Sequence, residues 1–162
     1  MDQKTYHLRR KEQAISDPGE LLEIIQGQRC MTLALCRDGE PYLATVSHGY
    51  DAAARCFYFH CARRGKKIDY LEANPIVWGQ VLEDRGYLTG QCDHAYRTVQ
   101  FRGRAELVED LEEKRRALTL MIERLEPDPE PLKQRLLVEA RLRGVCIVRV
   151  RVLEMTGKHG NS

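Results

Sequence analysis

Two sets of residues alternate along the segment from Arg97 to Leu107. The apolar and small members of one set are Val99, Phe101, Gly103, Ala105 and Leu107, and the polar members of the other are Thr98, Gln100, Arg102, Arg104 and Glu106. Alternate side chains of a β-strand point to opposite faces of the sheet. The segment therefore predicts a long, half-buried antiparallel strand with one face on a core.

Shorter segments with strand chemistry surround this one. They are residues 30–36, 43–50, 56–60, 76–82 and 146–152. The Asp38-Gly39 pair predicts a hairpin turn after the first of them. Turns connect most of these segments. Regular crossover helices between the strands would instead favour a parallel sheet. We therefore expect a mainly antiparallel sheet, curled into a small barrel with helices at its edges, which is an α+β fold.

Helices are predicted around and between the strands. Asp17 and Asp110 are cap residues with Glu three positions later, so helices should follow each of them. Further helices are expected over residues 66–73 and 132–142, the second ending at Gly144. The connection at residues 84–95 shows no strong periodicity, and we expect it to be a functional loop.

Length and composition limit the classes of protein to which this chain can belong. A chain of 162 residues, 43% of them hydrophobic, forms a core without disulfides or a structural metal, so we expect one domain over residues 1–162 with its core at about 9–155. The formal charge of +2 does not favour nucleic-acid binding by the whole surface. No apolar run reaches the roughly 20 residues of a membrane helix, and Met1 to Lys4 do not begin a secretory signal. We expect a cytoplasmic protein with neither a nucleic acid nor a membrane as partner.

The six cysteines show no paired spacing. In a reducing compartment such thiols usually behave as small buried hydrophobic groups. A zinc site built from His60, Cys61, Cys92 and His94 is an alternative, since zinc prefers Cys and His ligands. Without CxxC or HxxxH spacing, we expect no metal.

Lys66 and Lys67 follow a basic, glycine-containing turn and open a predicted helix. A cation in the first turn of a helix is disfavoured by the helix dipole, whereas a bound phosphate would satisfy the free N–H groups, the dipole and both lysines. A solvated basic turn is the alternative. A nucleic-acid patch would need exposed aromatic residues, and Phe57, Phe59 and Tyr70 have the spacing of core residues.

Four segments together resemble a known family. They are residues 9–12, 33–42, 59–75 and 92–106, in that order and spacing. They resemble the pyridoxamine 5'-phosphate oxidase-like FMN-binding split barrels, and in detail the nitroimidazole-resistance branch, which is nitroreductase-like. The resemblance implies a homodimer of six-stranded antiparallel split β-barrels with peripheral helices, and FMN, or else FAD, at the subunit interface.

The same resemblance assigns residues to the flavin. It implies that Lys66 and Lys67 grip the flavin phosphate, and that Cys61 falls where relatives often carry a hydroxyl that contacts the phosphate. It also implies that the ring lies against a strand segment with small side chains. That segment comprises Ala44, Thr45, Val46 and Ser47.

Three further residues have open interpretations. His60 is a candidate catalytic residue, as proton donor or anion partner near the flavin, or a hydrogen-bonded residue at a strand end; His48 is the second candidate. Arg97 is a candidate contact to the cofactor at the interface or to a substrate anion, or one half of an ion pair across the dimer.

The favoured function is a flavin-dependent oxidoreductase that uses a small electron acceptor of nitroaromatic or quinone-like type. One alternative is a non-catalytic flavin- or haem-binding protein that uses the same interface pocket, with His48 or His60 as the axial haem ligand. A dimeric scaffold with an empty cleft is another. The segment from Glu154 to His159 lacks the arginine-rich tail of true oxidases, so we do not expect pyridoxamine phosphate as the substrate.

Overall fold

The computed structural model describes residues 10–160, so Arg9 and the two ends of the expected domain lie outside the described residues. The helices are α1 (Pro18–Gly27), α2 (Lys66–Ala73), α3 (Leu111–Leu125), α4 (Glu130–Leu136) and α5 (Glu139–Gly144), preceded by a 3-10 turn at Lys11–Gln13. The strands are β1 (Ala14–Ile15), β2 (Cys30–Arg37), β3 (Glu40–Ser47), β4 (Gly49–Asp51), β5 (Cys56–Cys61), β6 (Ile76–Leu88), β7 (Asp93–Leu107) and β8 (Cys146–His159).

All strands belong to one antiparallel sheet in the order β3-β2-β6-β7-β8-β5-β4, with β1 pairing to β8. Strands β3 and β4 stand at opposite ends of this order, yet only His48 separates them in the chain. The sheet must therefore curl until its two edges approach each other. Within residues 10–160 no ladder joins those edges, so the barrel is split, as predicted.

The structure contains eight strands in its described part, where six were expected. The additional strands are the short β1 and β4. Residues 43–50 were predicted as one strand, but the strand stops at Ser47 and a new one begins at Gly49. His48 between them is completely buried, because the chain turns there from one edge of the sheet to the other.

The main core fills the inside of the curled sheet. Phe57 and Phe101 stack at its centre with ring centroids 4.3 Å apart, and Gly79 is required beside them because a Cβ atom there would lie 2.1 Å from Phe101 Cζ. Helix α1 packs on this core through Ile24 and Ile25. Helix α2 contributes Ile68, Tyr70 and Leu71.

A second apolar cluster lies on the outer face of β5 and β8. Tyr58 and Ile147 point outward and pack against Leu118, Met121 and Ile122 of α3. The opposite faces of the same two strands belong to the main core, so β5 and β8 are covered on both sides.

Two further sequence predictions of element boundaries were wrong. Residues 84–95 are not a loop: β6 continues to Leu88 and β7 begins at Asp93, with a register shift between Asp84 and Tyr87. Gly86 adopts φ +97° at this irregularity, and the exposed strand ends carry no apolar alternation that would reveal them. The predicted helix over residues 132–142 is two helices, α4 and α5.

Both predicted helix caps are confirmed. The Asp17 carboxylate accepts a hydrogen bond from the Gly19 amide at 3.1 Å, and Asp110 accepts from the Glu113 amide at 2.7 Å. Within residues 10–160, every helix is too short or too polar to span a bilayer.

Candidate functional site

The basic turn after β5 leads directly into α2. Lys66 and Lys67 are the first two residues of that helix, and Gly65 precedes them with φ +126°, a conformation that favours glycine. The Gly65 carbonyl accepts from the amides of Ile68 and Asp69 at 2.9 and 3.1 Å. The amides of Lys66 and Lys67, which come before those two in the first helical turn, have no carbonyl partner within the helix. Both lysines therefore lie beside free N–H donors.

Aromatic rings support the two ammonium groups. Lys66 Nζ lies 4.6 Å from the ring centroid of Tyr42 and 5.4 Å from that of Tyr70. Lys67 Nζ lies 5.6 Å from the Phe59 ring centroid. Neither lysine forms an ion pair with a carboxylate of residues 10–160. A cation over a ring keeps its charge, so the start of α2 presents two positive charges to a ligand.

Tyr42 connects this cationic turn to β3. Its ring meets the Tyr70 ring edge-on at 5.3 Å, which holds the start of α2 beside the first half of β3. Sequence reasoning missed both tyrosines as site residues. The signal available was their position, since Tyr42 lies two residues before the predicted ring-binding segment and Tyr70 lies one turn after the lysines.

The four residues of β3 that were predicted to contact the flavin ring point alternately to the two faces of the sheet. Ala44 and Val46 are buried in the main core, whereas Thr45 and Ser47 are exposed on the outer face. Thr45 Oγ1 lies 3.1 Å from Thr32 Oγ1 on the neighbouring strand. A ligand on the outer face would therefore meet the side chains of Thr45 and Ser47, but only the backbone at the other two positions.

The outer face of β2, β3, β6 and β7 is uncovered and partly apolar. Leu43 is 67% exposed and Leu82 is 47% exposed. A shallow cavity of about 290 Å³ lies on this face. Its lining residues are Thr32, Ala34, Leu43, Trp78, Gly79, Gln80 and Gln100. Thr32 lines this cavity and lies within hydrogen-bond distance of Thr45, so the cavity is next to Thr45.

Cys61 lies at the end of β5, before the basic turn. Burial, and secondarily the neighbouring Cys146 thiol, raise the pKa of the Cys61 thiol to about 11, and Lys67 opposes that shift. The thiol is therefore protonated near neutral pH and available as a weak S–H donor.

His60 points to the other face of β5. Its side chain is exposed and lines a cavity of about 390 Å³ with Leu118, Leu136, Arg141 and neighbouring residues of α3 to α5. Phe59 and Cys61, on the opposite face, pack with the main core. The structure thus directs His60 away from Phe59, the residue of β5 whose ring lies against Lys67.

His48 is closed to ligands. Its side chain is completely buried, and burial, followed by the charge of Arg124, lowers its pKa to about 3. Of the two histidines considered as haem ligands, His60 alone has an exposed side chain.

Arg97 is held by carboxylates of its own chain. Its guanidinium lies 2.5 Å from Glu83, 3.0 Å from Glu23 and 3.4 Å from Glu20, and the Arg97 side chain is only 11% exposed. Hydrogen bonds to Glu83 and then Glu23 raise the pKa of Arg97. Arg97 therefore forms ion pairs within its own chain, which join α1, β6 and β7, whereas the predicted ion pair was one across a dimer.

The residues considered for zinc are not gathered into a site. Within residues 10–160, no group of three or more His, Cys, Asp and Glu side chains is arranged to hold a metal ion. His94 instead lies 2.6 Å from Asp84 in the extended β6–β7 hairpin.

Comparisons with known proteins add an independent line of evidence. A family model described as pyridoxamine 5'-phosphate oxidase matches residues 17–159. The structure is similar to that of a proposed 5-nitroimidazole antibiotic resistance protein from Bacteroides thetaiotaomicron, with 25% sequence identity, a TM-score of 0.73, and coverage of 90% of this chain and 86% of that one. No curated protein matches the chain.

Two other solved structures show the same fold. An FAD-binding protein from Mesorhizobium loti is 22% identical, with a TM-score of 0.62 and coverage of 90% of this chain and 96% of that one. A haem storage protein from Vibrio cholerae is 19% identical, with a TM-score of 0.64 and coverage of 88% and 94%.

Proposed function

Because the chain belongs to the pyridoxamine 5'-phosphate oxidase family, we propose that it is a flavin-binding oxidoreductase that holds FMN at the start of α2 and against β3. The observation that carries the proposal is the pair of ammonium groups of Lys66 and Lys67, which have aromatic support but no carboxylate partner in the described chain. A phosphate would supply the missing negative charge and accept from the free amides of the same helical turn.

The position of β3 suits the flavin ring. Within residues 10–160, β3 pairs with β2 alone and forms one edge of the sheet. An edge strand keeps backbone N–H and C=O groups free, and these match the donors and acceptors at the polar end of a flavin ring. Thr45 and Ser47 would contact the ring with their side chains, whereas Ala44 and Val46 would contribute backbone groups only.

The proposal includes a homodimer. A flavin ring on the outer face of β3 would remain open to water in one chain, and the same face exposes Leu43 and Leu82. A second copy packed on this face would bury both leucines and cover the ring, and most soluble homo-oligomers are two-fold dimers.

The bound flavin would supply the redox chemistry, by hydride or electron transfer at its ring. The chain's own residues bind and orient it: Lys66 and Lys67 hold the phosphate, and Cys61, protonated near neutral pH, lies before them as an S–H donor. The proposal gives Arg97 no contact with the flavin, because Glu20, Glu23 and Glu83 already occupy its guanidinium. The proposal gives His60 no role at this ring, since its side chain lines the cavity formed with α3 to α5.

The proposed electron acceptor is a small nitroaromatic or quinone-like molecule. The similarity to the proposed nitroimidazole resistance protein supports this class, and the shallow, partly apolar cavity beside Thr32 and Leu43 suits a flat ring.

A non-catalytic flavin- or haem-binding protein is the second candidate. The exposed His60 beside a cavity of about 390 Å³, lined by Leu118, Leu136, Val145 and Arg141, favours it, because haem needs an axial ligand, an apolar surface and a cation for its propionates. The similarity to a haem storage protein points the same way.

An absorbance spectrum of the purified protein separates these functions. We expect flavin bands, acid release of FMN, and reduction of the bound flavin by NADH or NADPH. A Soret band that His60→Ala abolishes would favour haem binding, and bound flavin that neither nicotinamide reduces would favour a carrier. Protein that binds none of FMN, FAD and haem would contradict both candidates.

A further inference from the structure

Two cysteines face each other across neighbouring strands. Cys61 ends β5, Cys146 begins β8, and the two are direct partners in the antiparallel ladder. Their sulfur atoms lie 4.0 Å apart. Both side chains are directed toward the main core and not toward α3.

The two thiols differ in access. Cys146 is 7% exposed, whereas Cys61 is half-buried. A reagent in solution would therefore reach Cys61 before Cys146, whose more deeply buried sulfur lies 4.0 Å from that of Cys61. Burial raises the pKa of Cys61 to about 11, and the charge of Lys67 only partly opposes this shift.

We propose that Cys61 and Cys146 form a redox-active dithiol that closes to an intrachain disulfide when it reacts with a small disulfide such as oxidised glutathione. Because the pKa of Cys61 is about 11, only the small fraction of Cys61 that has lost its proton reacts. This thiolate attacks one sulfur of glutathione disulfide, and the departing glutathione thiolate takes up the proton that Cys61 released. The Cys146 thiol then loses its proton and attacks Cys61 Sγ, which releases the second glutathione. Two protein thiols are oxidised to one disulfide, and the reagent is reduced to two thiols.

The geometry allows closure without rearrangement of the sheet. Directly opposed residues of an antiparallel pair have Cα atoms about 4.5–5.5 Å apart, which lies within the range of about 4.4–6.8 Å found for disulfides. The sulfur atoms must approach by about 2 Å to reach the bonded distance. Because the pair lies at the end of one strand and the start of the other, side-chain rotation alone can supply that movement.

The first test is a map of the disulfide in the wild-type chain without added flavin, which makes the result independent of the proposed function. The protein is treated with oxidised glutathione, alkylated under denaturing conditions and digested with trypsin. We expect a cross-link between the peptides 56–63 and 144–149. Because the first peptide also contains Cys56, the experiment is repeated with Cys56→Ser, whose hydroxyl can replace the thiol that donates to the Ala54 carbonyl.

The second test distinguishes a dithiol from two independent thiols. In Cys146→Ser we expect glutathione to remain attached to Cys61, because the resolving thiol is missing, whereas the wild type should lose it. Cys92→Ser removes an exposed cysteine and should leave the cross-link unchanged.

Two results would overturn the proposal. One is a wild type in which glutathione persists on Cys61 and no cross-link between Cys61 and Cys146 forms. The other is a wild type in which both cysteines stay free to alkylation while Cys92 is oxidised. Both results are read from the folded wild type, so they do not depend on whether the variants fold.

Discussion

Arg124 and His48 form a contact at the single residue that joins the two edges of the split barrel. Arg124 Nη1 lies 3.1 Å from His48 Nδ1 and also donates to the His48 carbonyl, and its Nη2 donates to the Ile25 carbonyl at 2.8 Å. The Arg124 side chain therefore links α3 to α1 and to the connection between β3 and β4. Since the ring is buried and faces a cation, His48 stays neutral until its pKa of about 3.

The neutral His48 makes stability depend on pH. The unfolded chain protonates this histidine near its ordinary pKa of 6.5, well above the folded value of about 3. The unfolded state therefore binds the proton first, so stability is full above about pH 6.5 and is lost as the pH falls toward 3. At about pH 5 we expect the His48 contribution to the free energy of unfolding to be about 2 kcal/mol smaller than at about pH 8.

Urea denaturation of wild type and His48→Asn at both pH values measures this contribution. Asparagine keeps an acceptor for Arg124 but cannot titrate, so the wild type should lose about 2 kcal/mol more than the variant. The exposed His60→Asn serves as the control and should follow the wild type. Equal losses in the wild type and His48→Asn would show that His48 is not protonated on unfolding.

The lysines at the start of α2 should determine the affinity for FMN. A charge-assisted hydrogen bond contributes about 1.5–3 kcal/mol, so Lys66→Ala and Lys67→Ala should each weaken FMN binding by about tenfold to a hundredfold. Titration calorimetry measures the loss. Riboflavin lacks the phosphate, and its affinity should hardly change.

Arg135→Ala is the matched protein control for the lysine variants. It removes the same charge from an exposed position on α4 and should leave FMN affinity unchanged. If the lysine variants and this control weaken FMN equally, or if riboflavin binding falls in parallel with FMN binding, the phosphate does not bind at the start of α2.

The uncovered outer face of the sheet should carry the dimer contact. Leu43→Glu or Leu82→Glu would place a charge where an apolar side chain is buried, at a loss of at least about 1.5 kcal/mol per leucine. Each substitution occurs twice in a two-fold dimer, so the dimer dissociation constant should rise by about a hundredfold or more. Sedimentation equilibrium measures this constant.

Val138→Glu is the control for the dimer experiment. Val138 is 48% exposed but lies between α4 and α5, away from the outer face of β3, and its substitution should not alter the dissociation constant. A monomeric wild type, or a dimer that Val138→Glu disrupts as strongly as Leu43→Glu does, would contradict this interface.

The sequence by itself determined the features that depend on near neighbours in the chain. The alternation from Arg97 to Leu107 specified that part of β7 and, except at the exposed Leu107, its buried face. The aspartates at positions 17 and 110 specified two helix starts, and the positions of Lys66 and Lys67 after a basic turn placed two cations in the first turn of α2. Each of these follows from backbone periodicity or capping, which act over a few residues.

Only the tertiary structure decided which distant residues meet. The contact of Arg124 with His48, the three carboxylates around Arg97, and the facing thiols of Cys61 and Cys146 each join residues far apart in the chain. Sheet order and register bring such residues together, and periodicity within one segment does not encode its partner strand. For the same reason the direction of His60 became clear only when α3 to α5 were seen to cover that face of β5.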